Sequence, residues 1–210
     1  INLGGIGEIV EGFDGVNGWT VSAITGPALT VSGVDASATL DLGDLFGDDA
    51  GRFYIGGEVT YIDEWSQEDL FVGGVVTRPA QNYAGAYDHA GGQFNSTPQW
   101  KGSAYAEYTG DRLQLRWTTR YVGEMVDLRP ICQEVTPLWP AGEHETKLID
   151  AFITHDLTAV YDLTDDLTLT AGVLNVLDED PPFVGADLGY DPFTANPVGR
   201  VFRIGARQRF

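Results

Sequence analysis

Apolar and polar residues alternate with a period of two along most of this chain, and the alternation restarts seven times. That period belongs to a strand, whose successive side chains point to opposite faces. Residues 30–42 set Val34, Ala36, Ala38, Leu40 and Leu42 against Asp35, Ser37, Thr39 and Asp41. Residues 51–65 set Phe53, Ile55, Val59 and Tyr61 against Arg52, Tyr54, Glu58 and Thr60. Residues 98–109 set Trp100, Ala104, Ala106 and Tyr108 against Lys101, Ser103, Tyr105 and Glu107. The cleanest stretch, 112–125, opposes Leu113, Leu115, Trp117 and Tyr121 to Arg112, Gln114, Arg116, Thr118 and Arg120. Residues 149–163 and 167–177 alternate in the same way. In the last stretch, 199–210, Phe202, Ile204, Ala206 and Phe210 face away from Arg203, Arg207 and Arg209. Residues 7–10 and 21–25 are read as the top of an eighth strand and an extension of the first.

The links between these strands alternate in length. Short ones fall at 110–111, 164–166 and 43–50, and long ones at 66–97, 127–148 and 178–198. Long structureless links are uncommon in a compact soluble domain. Short turns at one end and long loops at the other characterise transmembrane barrels, which cross the membrane in about 9–11 residues per strand. Phe53, Tyr108, Tyr161 and Phe210 lie toward the short turns; Tyr61, Trp65, Trp100 and Tyr121 lie toward the long loops. Two belts of that kind are expected at the two membrane interfaces.

Composition trims the alternatives. No apolar run approaches the ~18 residues of a membrane helix, and 43% hydrophobic residues diluted by alternation is compatible with a barrel. A net charge of -19 argues against nucleic-acid binding. The single Cys132 cannot form an internal disulfide and reads as an isolated loop thiol. The chain opens on Ile1-Asn2-Leu3-Gly4-Gly5, with no initiator Met and no signal-peptide pattern, so it is expected to be one piece of a longer protein.

Candidate chemistry is sparse. Arg52, Arg112, Arg116, Arg120, Arg203, Arg207 and Arg209 share the polar face with Asp35, Asp41, Glu58, Glu107, Asp156 and Asp162. An ion-pair network is the preferred reading, because the planar guanidinium suits carboxylate. Arg116 and Arg120 are the candidates for capturing an anionic substrate. Tyr83, Tyr87, Trp139, Phe183 and Tyr190 are candidates for a stacking surface, against ordinary loop packing. Asp187 and Asp191 have a spacing that permits a hard-cation site, although a solvated acidic face is preferred. His89, His144 and His155 lack metal-ligand spacing. No nucleophile–base arrangement is defensible, so no enzyme, cofactor or metal is expected.

Several segments resemble the barrel of TonB-dependent outer-membrane receptors. Leu174-Asn175-Val176-Leu177-Asp178-Glu179-Asp180-Pro181-Pro182-Phe183 is similar to the family's penultimate-strand motif, an Asn-Leu-Phe-Asp core followed by acids and prolines. Tyr190-Asp191-Pro192 followed by Gly199-Arg200 resembles the entry to its last strand. Thr97-Pro98-Gln99-Trp100-Lys101-Gly102, Arg120-Tyr121-Val122-Gly123 and Val31-Ser32-Gly33-Val34-Asp35 resemble its strand starts and ends. Position 177 departs from the motif with Leu in place of Phe.

The resemblance implies an all-β, antiparallel up-and-down transmembrane barrel. Residues 1–210 would be the C-terminal seven or eight strands of a barrel of about 22, with plug domain and N-terminal strands absent. It implies a bacterial outer-membrane protein for high-affinity nutrient uptake, with long loops extracellular. The implied partners are the rest of the receptor, the TonB complex, membrane lipid and lipopolysaccharide, and the barrel-assembly machinery. The last is implied to read Arg203, Gly205, Gln208 and Phe210, although Gln208 stands where the signal usually has an apolar residue. The rival expectations are a small stand-alone barrel or passive porin, and a soluble β-sandwich binding protein.

Overall fold

The computed structural model describes residues 7–11, 17–21, 26–43, 51–87, 96–128, 148–185 and 188–210, the first two segments by backbone alone. Seven strands form its wall: β3 (Leu29–Asp41), β4 (Arg52–Gln67), β10 (Trp100–Thr109), β11 (Leu113–Val122), β14 (Phe152–Asp162), β15 (Leu167–Leu174) and β16 (Val201–Gln208). They pair antiparallel in chain order, β3-β4-β10-β11-β14-β15-β16, which is an up-and-down meander. Among the described residues β3 and β16 remain the two edges, so the sheet is not closed. A small stand-alone barrel would need them joined.

Two short strands at the start, β1 (Gly7–Glu11) and β2 (Asn17–Val21), pair with each other as a hairpin. They are neither an eighth wall strand nor, as far as described, an extension of β3; residues 22–25 lie outside the described residues.

Register decides the faces. Val34 pairs with Tyr61, Tyr61 with Trp100, Ala106 with Trp117, Trp117 with Leu157 and Leu157 with Val173, and Val173 pairs in turn with Phe202. Each pair shares a face, so the apolar stripes of seven strands merge into one convex apolar surface. That surface is open: Val34 is 64% exposed, Phe202 69% and Ile204 91%. A soluble sandwich would cover it with a second sheet, and among the described residues none packs there. A lipid-facing wall accounts for the exposure.

Two aromatic pairs mark the edges of the band. Phe53 and Tyr108 pack at 4.9 Å near the short turns; Tyr61 and Trp100 pack at 4.5 Å near the long links. Eight residues separate the two levels on β4, about 27 Å along a strand and about 20 Å once tilted by ~40°.

Trp65 is not part of the upper belt. The register between β3 and β4 shifts at Ser32/Gly33, leaving Asp63 as an extra residue in β4. Such a bulge moves the alternation by one, so Trp65, in step with Tyr61 by sequence, is carried to the opposite face. Gly33 is required opposite the bulge, because a Cβ there would meet the Tyr61 carbonyl oxygen at 2.4 Å.

The long links are not structureless. The first contains a hairpin, β5 (Leu70–Val72) with β6 (Val75–Arg78), and then β7 (Gln81–Asn82), which pairs with the top of β4. Four shorter strands make a second sheet: β8 (Ala86–Tyr87), β9 (Ser96–Thr97), β12 (Met125–Asp127) and β13 (Leu148–Ile149). Its order is β13-β12-β8-β9, and β8 pairs with β12 in parallel. The predicted strand over 112–125 therefore ends at Val122: Gly123 donates its N–H to the Trp100 carbonyl at 2.8 Å, and Met125 begins the cap. Ile149 likewise belongs to the cap and not to the wall. The strand predicted to Leu177 stops at Leu174, where Asn175 turns to a φ of 50°.

Candidate functional site

The polar face of the wall is concave and lines an open cavity of about 1040 Å³. Its lining includes Asp35, Glu58, Lys101, Arg120, Asp156 and Arg203 from the strands, with Thr194 and Asn196 reaching in from the last link. Two of the inward cations, Arg116 and Arg120, are answered by an acid on the neighbouring strand. Glu107 stands directly opposite Arg116 in the register and bonds it at 3.2 Å. The Arg116 guanidinium also lies 3.8 Å from the centre of the Tyr105 ring. Tyr105 in turn exchanges a hydrogen bond with Thr39 at 3.2 Å.

This patch depends on Gly56. A Cβ at Gly56 would sit 2.7 Å from the Tyr105 ring. Gly56→Val is expected to push the ring off its seat and undo both the Thr39 bond and the Arg116 stack. The cost should be about 1–3 kcal/mol. A lower temperature for loss of the compact form in SDS would register it.

A second hub joins four strands. Asp156 is 7% exposed, pairs with Arg120 of β11, and accepts the Asn175 backbone N–H at 2.9 Å. The Asn175 side chain then bonds Glu179 both ways, Nδ2 to its carbonyl at 2.9 Å and Oδ1 from its N–H at 3.0 Å. Asp178, also at positive φ, accepts the Arg200 N–H at 2.7 Å. The Asn-x-x-Asp spacing thus builds a turn whose two polar side chains fix the end of β15 and the entry to β16. No reading of the charges alone singles out Asn175; only its place in the motif does.

The cap holds the third cluster. Tyr87, Met125, Ile149 and Val184 pack together and are almost wholly buried, so three links share one small core. Asp191 is 2% exposed and accepts hydrogen bonds from Ser96 Oγ at 2.6 Å, the Phe193 N–H at 3.0 Å, and the Thr194 hydroxyl. Donors therefore occupy both its oxygens, which argues against the cation site its spacing permits, and its burial takes it off the solvated acidic face preferred from the sequence. Asp187 lies outside the described residues, and among those described no group of acids, His and Cys could hold a metal ion.

Of the aromatic candidates, Tyr83 and Tyr87 are buried in the cap, while Phe183 is exposed and Tyr190 half-buried. Buried rings pack loop on loop and present no stacking face. Trp139, Cys132, His89 and His144 lie outside the described residues. His155 faces outward, with Nδ1 2.9 Å from the Thr119 hydroxyl and its ring beside Trp117. Arg116 is tied to the wall, whereas the Arg120 side chain is 56% exposed to the cavity despite its pairing. Arg203, Gly205 and Gln208 lie on β16, with Phe210 just beyond it, and Phe210 is fully exposed.

A family model described as "TonB dependent receptor-like, beta-barrel" matches residues 7–176. The chain belongs to this TonB-dependent receptor barrel family. Its members are outer-membrane receptors and transporters, not enzymes. The wall resembles a mutant of the ferric enterobactin receptor PfeA from Pseudomonas aeruginosa, with 16% identity over 93% of this chain and 24% of that one, at a TM-score of 0.52. It also resembles the siderophore receptor PirA from Acinetobacter baumannii, with 14% identity over 97% of this chain and 26% of that one, at a TM-score of 0.52. The unliganded ferric citrate transporter FecA matches with 17% identity over 84% of this chain and 24% of its own, at a TM-score of 0.50. At these identities the likeness is one of fold. This TonB-dependent barrel chain spans about a quarter of the length of those receptors. No curated protein matches it in sequence.

Proposed function

We propose that residues 1–210 are the C-terminal part of the barrel of a TonB-dependent receptor that imports a scarce nutrient. The observation that carries this reading is the pairing of a convex apolar wall with a concave charged one, roofed by links that share one core. A lipid-facing wall needs the first, and a lumen through which a polar solute passes needs the second. The plug domain and the first strands would complete the receptor, and TonB would supply the energy through the plug. The cap would lie on the extracellular side, with lipopolysaccharide around the convex wall. Assembly into the membrane would use the terminal strand, with Arg203, Gly205, Gln208 and Phe210 as its signal.

Within that receptor Arg120 is the better candidate than Arg116 for touching an anionic substrate, because its side chain reaches the cavity. Tyr190 is the remaining described tyrosine able to lend part of a ring. Ferric chelates are the first class to test, being what PfeA and FecA are named for. Uptake of labelled iron as a catecholate or citrate complex is expected in iron-starved cells carrying the full-length receptor, and it should vanish without TonB. Arg120→Gln should lower it severalfold. Uptake that persists without TonB would point instead to a passive pore.

A further inference from the structure

Two inward cations of the wall are answered by a carboxylate on the adjacent strand, while Arg52, Lys101 and Arg112 form no ion pair among the described residues. Arg116 meets Glu107 on the adjacent strand, and Arg120 meets Asp156 on the adjacent strand. Arg203 and Arg207, both inward on β16, stand opposite Gly172 and Thr168 of β15. Neither forms an ion pair among the described residues. Asp162, in line with Arg207 through Thr168 in the register, accepts the Thr168 hydroxyl at 2.6 Å. Asp162 shares a cleft of about 250 Å³ at the short-turn end with Asp111, Asp165, Asp166, Arg112, Arg207 and Arg209, yet no ion pair forms there. Arg203 has Gly172 beside it and no acid from β15 at all.

Among the described residues β16, like β3 at the other end of the sheet, has its second edge bare. In lipid, a bare edge must be paired, because each unbonded N–H and C=O there costs several kcal/mol. The strand that pairs with it sets its own inward side chains about 5 Å from those of β16.

We propose that the strand closing the barrel against β16 carries carboxylates at the inward positions facing Arg203 and Arg207, so that the seam is locked by cross-strand ion pairs. This rests on the receptor reading insofar as it takes the chain to be part of a closed barrel. The alternative occupant is an acidic segment of the plug.

The test uses the full-length receptor and a version lacking the plug, each as wild type, as Arg203→Gln/Arg207→Gln and as Arg203→Lys/Arg207→Lys. The readout is the temperature at which the folded, fast-migrating form is lost in SDS. The Gln pair is expected to lower it by about 5 °C or more in both versions, and the Lys pair to stay near wild type. A drop only when the plug is present would assign the carboxylates to the plug and overturn the proposal; no drop in either version would overturn it too. Should the Gln pair fail to assemble, Arg207→Glu is made together with Lys at the facing inward position of the closing strand. Recovery of the folded form by the added Lys is expected, and no recovery refutes the seam. Failure of the receptor reading looks different: the wild-type protein would show no TonB-dependent uptake while these temperature shifts stand unchanged.

Discussion

Tyr87→Ala in the full-length receptor is expected to loosen the cap while leaving the wall intact. Tyr87 is wholly buried against Met125, Ile149 and Val184. Removing its ring leaves a cavity that two-residue strands are poorly placed to refill. Large aromatic truncations of this kind cost about 3–5 kcal/mol. The cap has few other buried residues, so the loss should exceed what it can sustain. Hydrogen exchange would show it: the amides of Val126 and Leu128, which bond Gly85 and Tyr87 across the β8–β12 junction, should lose their protection. Amides of β10 and β11 should keep theirs. Equal loss in wall and cap would mean that the cap is not a separate unit.

Asp191→Ala is expected to free the last link from the first. It strips the acceptor from Ser96, Thr194 and the Phe193 N–H together. Hydrogen bonds to a charged acceptor contribute about 1.5–3 kcal/mol, and orphaned buried donors add a further penalty, so a net loss of about 2–4 kcal/mol is expected. Asp191→Asn should recover little, since its amide brings N–H groups toward existing donors. Limited proteolysis should cut between residues 188 and 198 in both variants and spare the wild type. A variant as resistant as the wild type would show that Val184 alone anchors the link.

The wall was largely legible in the sequence because each strand repeats its period often enough to be seen, and because one face had to be apolar throughout. Its ends were not. Gly123 and the pair Asp150-Ala151 stop strands that the alternation would carry on, and nothing in a period-two pattern marks the residue where a chain leaves one sheet for another. The cap was invisible for a related reason. Strands of two residues have no period, and the cluster that holds Tyr87 is drawn from three separate links. Val184 was the available signal, as an apolar residue at a loop position, while the alternation places Met125 and Ile149 at the ends of wall strands. The charges behaved similarly. The Arg-rich face was readable, but which acid answers which Arg depends on register, as with Arg120, which stands opposite Thr154 and yet pairs with Asp156. Asp191 was noticed for its spacing to Asp187, while the partner that defines it, Ser96, lies 95 residues away.

The parallel pairing of β8 with β12 has a consequence for how the protein is made. Antiparallel neighbours can zip from a turn, but a parallel pair joins segments that no hairpin connects. Val126 meets Ala86 only once β10 and β11, which lie between them in the chain, are both in place. The entropic expense of such distant closure delays it. The roof is therefore the last part to set, after the staves beneath it have been raised, and a chain halted midway through biogenesis would be a walled trough still open to the sky.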